Sequence, residues 1–316
     1  MNVVTTAKIR RDLREELPNL FPEVTFSFNE SIDEAEKDLP SADVLLTYGE
    51  DLTEDHIDQA RNLKWIMVIS AGLEKMPFDA IAKKDILITN ARGIHATPMA
   101  EYTLAMMLQV SRYGKGIIEQ EQNEVWSRKL TMTELKGKTI GVLGAGAIGS
   151  EIARLAKAFG MTAIGLNRSG RPVDHFDTII TFKDLNQLLN ESDYVVSVLP
   201  HTDETDGMLT ADSFKAMKKE AIFINIGRGT VAREDVLLQA LQNKEISHAV
   251  LDVFEEEPLP KGHPFWSTDR ITVTPHISGI SPEYQPRALE IFKNNLKVFS
   301  GGGTNYQNKV DPSKGY

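Results

Sequence analysis

Not one of the 316 residues is cysteine, which excludes disulfide scaffolds, thiolate zinc sites, iron–sulfur clusters and cysteine nucleophiles. Basic residues are in deficit. The chain has 35 Lys and Arg against 45 Asp and Glu, a formal charge of −10, the wrong sign for non-specific binding to a phosphate backbone, so no nucleic acid is expected as partner. Long apolar runs are missing as well: no stretch approaches roughly 18 apolar residues. The opening MNVVTTAKIRRDLREELP carries early charges and no signal-peptide core. No membrane partner is expected, and a cytoplasmic location is the reading. Low complexity is confined to Gly301–Gly303, with no internal repeat.

What is present is an ordinary globular composition, 41% apolar and 25% charged, with length enough for about two domains. Strand-like runs at Val3–Thr6, Val24–Phe28, Val44–Thr47, Trp65–Ser70 and Ile86–Asn90 alternate with amphipathic segments such as Thr53–Arg61. Pro98–Arg112 opens on a proline suited to a helix's first turn and is apolar on nearly every face up to Val110. A buried helix is predicted there, as a candidate connector between domains.

A second series follows. Its strands are expected at Thr139–Leu143, Thr162–Leu166, Tyr194–Leu199, Ala221–Ile226, His248–Asp252 and Ile271–Thr274. Helices are expected at Ile148–Phe159, Lys183–Leu189, Ala211–Met217 and Arg233–Gln242. Six strands with intervening helices predict a doubly wound parallel sheet, and the fold class is α/β. After Pro282 a helical run reaches about Phe299, and Gly301–Tyr316 reads as a Gly-rich polar tail.

The segment TIGVLGAGAIGSEIARLAKAFG carries Gly144, Gly146 and Gly149 in G-x-G-x-x-G order, between a strand-like and a helical run. In that context Gly144 allows a tight turn and Gly146 lets the backbone approach a pyrophosphate. Gly149 lets helix and strand pack closely, while the helix N-terminus faces the phosphates. About 20 residues on, where an acid would hold the adenine ribose of NAD, the chain has Asn167-Arg168-Ser169. Arg168 and the Ser169 hydroxyl can hydrogen-bond a 2′-phosphate that a carboxylate would repel. NADP(H) is therefore the preferred cofactor, with NAD(H) possible.

Three polar residues follow strand-like runs in the second half: Arg228 in INIGRGT, Glu257 in LDVFEEEPLP and His276 in TPHISG. Strand ends in an open α/β sheet face the ligand crevice. Hydride transfer from a nicotinamide builds negative charge on its acceptor and needs a proton donor beside it, and histidine, with an unperturbed pKa of about 6.5, titrates nearest neutrality. A neighbouring carboxylate such as Glu257 favours the imidazolium, and an arginine can grip a carboxylate bidentately. His201, His263, Trp266 and Tyr284 could line a crevice, but the bland structural reading is the better one for each.

VLGAGAIG, the LPHT turn at Leu199–Thr202, INIGRGT, LDVFEEEPLP and TPHISG, in that order over nearly the whole chain, resemble the D-isomer-specific 2-hydroxyacid dehydrogenases, and more narrowly their glyoxylate/hydroxypyruvate reductase branch. The resemblance implies a hydride transfer between NAD(P)H and a small 2-oxo acid, giving a D-2-hydroxy acid. It implies that Arg228 holds the substrate's carboxylate and carbonyl oxygen, that His276 is the acid/base and that Glu257 is its partner. Gly144, Gly146, Ala147, Ile148, Gly149, Asn167, Arg168, Ser169, Ile226 and Asp252 would contact cofactor, Asp252 at the nicotinamide amide. Ala71, Gly72 and Leu73 would offer backbone amides to the substrate.

The resemblance further implies a Rossmann cofactor domain, residues 98–281, inserted into a smaller flavodoxin-like substrate domain formed by 1–97 and 282–316. It also implies a homodimer built on the cofactor domain. Asn167 departs from the acid frequent in this family, as do Glu74 and Ser278 from its usual residues, without bearing on the reaction class. The rival reading is a nucleotide-sensing binding protein or corepressor on the same fold. Oxidation of formate or phosphite is a third.

Overall fold

The structure is a computed structural model that describes residues 1–70, 72–73 and 75–312. The first half alternates strand and helix: β1 (Asn2–Thr5), α1 (Arg11–Leu20), β2 (Thr25–Phe28), α2 (Ile32–Ala35), β3 (Val44–Thr47), α3 (Glu54–Gln59), β4 (Trp65–Val68), α4 (Phe78–Lys83) and β5 (Leu87–Asn90). Two helices follow, α5 (Ala96–Ser111) and α6 (Gly114–Gln122). The series then resumes as β6 (Thr139–Leu143), α7 (Ala147–Ala158), β7 (Thr162–Leu166), β8 (Thr178–Ile180), α8 (Leu185–Glu191) and β9 (Tyr194–Ser197). It runs on through α9 (Ala211–Ala216), β10 (Ile222–Asn225), α10 (Glu234–Gln242), β11 (His248–Leu251) and β12 (Ile271–Val273). Helix α11 (Tyr284–Ser300) and strand β13 (Lys309–Val310) close the chain. Backbone contacts group these elements into two compact units, Met1–Ile94 with Ser281–Tyr316, and His95–Ile280.

The first unit holds a six-stranded sheet in the order β13-β5-β4-β3-β1-β2, parallel except where β13 pairs antiparallel with β5. Its strands are apolar on both faces because both are covered. In β4, Trp65 and Met67 enter one core, while Ile66 and Val68 enter the other. On the first face α11 lays Ala288, Phe292 and Leu296, spaced one turn apart, against the sheet. The Trp65 ring stacks on Phe292 at 5.4 Å, and its indole N–H donates to Thr89 Oγ1.

The second unit holds a seven-stranded, wholly parallel sheet in the order β12-β11-β10-β9-β6-β7-β8. The same alternation recurs: Tyr194 and Val196 of β9 face one core, and Val195 faces the other. The strand order reverses between β6 and β9, and at such a switch point the carboxyl ends of the strands open a crevice for ligand.

The architecture is the α/β class read from the sequence, with four differences. The expected six-stranded sheet has a seventh strand, β8, a three-residue edge element with Thr178 exposed and only Ile180 buried, too short to carry a periodic signal. The tail after Gly301 is not unstructured throughout, because Lys309 and Val310 pair with Thr89 and Ile88. The charged N-terminal stretch contains α1, whose buried stripe is limited to Leu13 and Leu17. The connecting helix begins at Ala96 and is buried on one stripe, through Ala100, Thr103, Leu104, Met107 and Ser111. Met106, Leu108 and Val110 remain half-buried and Ala105 is exposed, so apolar composition all round did not mean burial all round. No helix among the described residues is long and apolar enough to cross a membrane.

Candidate active site

The glycine turn leaves β6 with Gly144 at φ +110°, a conformation that strains any other residue. The amides of Gly144 and Ala145 donate to Leu166 O at the end of β7, fixing the turn over the sheet. A methyl group on Gly149 would fall 2.2 Å from Gly144 O, so only glycine lets α7 start this close to its strand. At Gly146 the same construction meets nothing within 4 Å. Gly146 and Ala147 are exposed, and no side chain caps the N-terminus of α7. Uncapped amide donors beside an open glycine suit a dinucleotide's pyrophosphate.

Beyond β7 the Asn167 carboxamide builds its own loop. Its Oδ1 accepts from the amides of Ser169 (3.1 Å) and Gly170 (2.7 Å), and its Nδ2 donates to Arg171 O. The side chains of Arg168 and Ser169 are thereby displayed to solvent, and Arg168 Nε lies 3.0 Å from Glu204 Oε2. Ile148 is half-buried at the start of α7. Ile226 is buried in the core with its amide bonded to Ser197 O, which leaves only its carbonyl for a ligand.

At the end of β10, buried Asn225 folds the next turn: its Oδ1 accepts from Gly227 N, and its Nδ2 donates to Arg228 O. Arg228 is exposed and extended, with Nη1 donating to Gly227 O at 2.9 Å. The following residue makes the closest approach in the site, since a methyl group on Gly229 would stand 2.0 Å from Phe254 C. The Arg228 turn therefore lies directly on the loop after β11. In that loop Phe254 N donates to Glu257 Oε1 (3.0 Å), and the other carboxylate oxygen, Oε2, lies 2.7 Å from His276 Nδ1. An ionised carboxylate only accepts, so Nδ1 carries the hydrogen, and Nε2 is the ring atom left for chemistry.

His276 sits at φ +52°, in the left-handed region that few residues other than glycine adopt. Asp252 accounts for that shape. Its fully buried carboxylate accepts from Thr274 Oγ1 (2.5 Å) and Ile277 N (2.9 Å) on Oδ1, and from Ser278 N (2.8 Å) on Oδ2. The residue expected at the nicotinamide amide thus also anchors the histidine loop. Because Thr274 spends its hydrogen on Asp252, the Tyr102 hydroxyl of α5 donates to Thr274 at 2.6 Å. Burial pushes the Tyr102 phenol up to about 12, with the nearby Asp252 charge adding to it.

Sequence reasoning missed Asn225, Gly229, Thr274 and Tyr102. A polar residue ending an apolar strand was the available signal for Asn225, and a lone tyrosine hydroxyl in an apolar helix for Tyr102.

Of the four residues read as structural, three make the following local contacts. His263 takes Phe265 N on Nδ1 and lies 3.0 Å from Glu234 through Nε2. His201 Nδ1 lies 3.0 Å from Thr230 Oγ1, and Trp266 Nε1 donates to Pro260 O. In the first unit, Ser70 Oγ lies 2.9 Å from Gly72 O, and Leu73 is buried in the core. Ala71, expected in the substrate loop, lies outside the described residues, as does Glu74.

The family model described as D-isomer specific 2-hydroxyacid dehydrogenase, NAD binding domain, matches residues 104–278. The chain is 33% identical over 273 residues to a glyoxylate reductase of Aeropyrum pernix, covering 83% of this chain and 81% of that one. Among solved structures it is similar to a D-isomer specific 2-hydroxyacid dehydrogenase family protein of Aeromonas salmonicida, with a TM-score of 0.87, 32% identity, and coverage of 98% and 99% of the two chains. It is also similar to an NADPH-dependent glyoxylate/hydroxypyruvate reductase of Sinorhizobium meliloti in complex with NADP and sulfate, with a TM-score of 0.81, 26% identity, and coverage of 100% and 99%.

Proposed function

The chain belongs to the D-isomer-specific 2-hydroxyacid dehydrogenases, an NAD(P)-dependent enzyme family, and on that premise we propose that it reduces a small 2-oxo acid, glyoxylate or hydroxypyruvate, with NADPH. The observation that carries this reading is the 2.7 Å contact between His276 Nδ1 and Glu257 Oε2, which leaves Nε2 as a proton donor. A protein that only senses nucleotide needs no acid/base pair, so the corepressor reading is not favoured.

When bound, the nicotinamide supplies the hydride that adds to the substrate's carbonyl carbon. His276 Nε2 gives its proton to the carbonyl oxygen as negative charge builds there, and Glu257 stabilises the imidazolium before the transfer. In the oxidative direction the neutral imidazole takes that proton back. Arg228 holds the carboxylate and the carbonyl oxygen in line for attack.

The amides of Gly146, Ala147, Ile148 and Gly149 at the start of α7 hold the pyrophosphate, and Ile226 contributes its carbonyl. Asp252, whose Oδ2 accepts one hydrogen bond from Ser278 N, would meet the nicotinamide amide. Arg168 and Ser169 receive the 2′-phosphate of NADPH, and Asn167 shapes their loop. The NADP complex of the Sinorhizobium reductase supports the cofactor choice.

A homodimer completes the reading. The segment from α6 onward exposes Ile117, Ile118, Val125, Met132 and Trp126, the last 92% exposed, apolar side chains that a second copy of the chain would cover. Size-exclusion chromatography with light scattering gives a dimer if so, and a monomer if the surface has another purpose.

A panel of 2-oxo acids, each with NADPH and with NADH and followed by absorbance of the reduced nicotinamide, tests the whole assignment. Turnover of two- and three-carbon acids with NADPH is expected. No turnover of any 2-oxo acid would overturn it.

A further inference from the structure

The order of strands places one ion pair where no local motif would. Arg168 follows β7 and Glu204 follows β9, and these two strands flank β6 on opposite sides. The 3.0 Å contact between Arg168 Nε and Glu204 Oε2 therefore spans the carboxyl end of β6, where the glycine turn begins. Both partners are displayed by ordered turns rather than by chance. Asn167 holds the first through Ser169 N and Gly170 N. Buried Thr205 holds the second, its Oγ1 accepting from Thr202 N and lying 2.7 Å from Pro200 O. Asp206, two residues from Glu204, is already engaged by Arg233.

We propose that Glu204 tunes the protein's affinity for a 2′-phosphorylated cofactor by competing with the 2′-phosphate for Arg168. The proposal rests on the reading that Arg168 receives that phosphate. A carboxylate and a phosphate present the same kind of acceptor oxygens to a guanidinium, and the phosphate monoester carries about −1.5 to −2 charges against one. Glu204 thus stands in for the phosphate while the cofactor is away, and must release Arg168 when NADPH enters. A carboxylate that stayed in place would repel the incoming phosphate. Arg168 and Glu204 are 58% and 65% exposed, so the competition is screened and its effect modest.

The test is calorimetric titration of the whole protein with adenosine 2′,5′-bisphosphate and, as control, with 5′-AMP. Glu204→Gln keeps the shape and removes the charge; it should bind the bisphosphate about two- to fivefold tighter, the range open to an exposed pair, with 5′-AMP moving less. Arg168→Ala should weaken the bisphosphate by roughly tenfold or more, the loss of one charge-assisted hydrogen bond. In the Arg168→Ala background the gain from Glu204→Gln should vanish, since its target is gone.

An unchanged or weaker bisphosphate affinity in Glu204→Gln overturns the proposal. So does an equal gain without Arg168, which would mark a general charge effect. If Arg168→Ala itself leaves bisphosphate binding untouched, the 2′-phosphate reading fails with it. If Arg168→Ala weakens binding and Glu204→Gln changes nothing, only the role of Glu204 fails.

Discussion

His276 Nδ1 and Glu257 Oε2 stand 2.7 Å apart across 19 positions of sequence, each in a different loop. The contact orients the imidazole and leaves Nε2 outward. His276→Gln removes the transferable proton while keeping a polar side chain, so kcat for 2-oxo acid reduction should fall by roughly 10²–10⁴-fold. NADPH binding, read by its fluorescence, should persist. Unchanged turnover would remove His276 from the chemistry.

Arg228 extends from a turn that Asn225 ties shut. Arg228→Ala deletes a charge-assisted contact worth about 1.5–3 kcal/mol, which lowers kcat/KM for the 2-oxo acid by roughly 10–150-fold. Arg228→Lys keeps the charge but not the bidentate fork, and should recover only part of the loss. A change confined to the melting temperature would return Arg228 to a structural role.

Gly229 carries the close approach between the Arg228 turn and the Glu257 loop. A methyl group there meets Phe254 C at 2.0 Å and Phe254 O at 2.2 Å, both backbone atoms that no rotamer change can move. Gly229→Ala should cost about 1–3 kcal/mol of stability and raise KM as Arg228 and Glu257 are pushed apart. Thermal unfolding and steady-state kinetics on one preparation check both effects, and wild-type values in each would show that the loops need no such contact.

Thr274 is the link between Tyr102 and the buried Asp252 carboxylate. Thr274→Val leaves that carboxylate short of a donor at a cost of about 1–3 kcal/mol. Because Asp252 also holds Ile277 N and Ser278 N, the loop bearing His276 should loosen, with kcat reduced more than KM. Equal kcat in the two proteins would mean that Asp252 holds the loop without this hydroxyl.

His248 supplies a pH dependence. Burial, with Lys115 and Arg270 adding to it, lowers its imidazole from 6.5 to about 4, and its Nε2 pairs with Thr272 Oγ1. Between those two values the unfolded chain binds a proton that the folded chain refuses, so stability falls as pH drops through this window and levels off below about 4. The total is about 3 kcal/mol at most. His248→Gln should flatten that part of the curve in denaturant titrations, and an unchanged slope would place the acid sensitivity elsewhere.

The sequence by itself determined the alternation of apolar strands with helices, the glycine turn on its strand and helix, and the polar residues that follow β10, β11 and β12. These are local signals, written within a few turns or strand lengths of chain. Only the tertiary structure decided the edge strands β8 and β13, which exist because a neighbouring strand offers them hydrogen bonds. It also decided which stripe of α5 is buried, because that depends on what packs against the helix. The same holds for Arg168 with Glu204 and for Tyr102 with Thr274 and Asp252. A side-chain pair joining loops far apart in sequence has no periodicity to announce it, and forms only where strand order brings the two ends together.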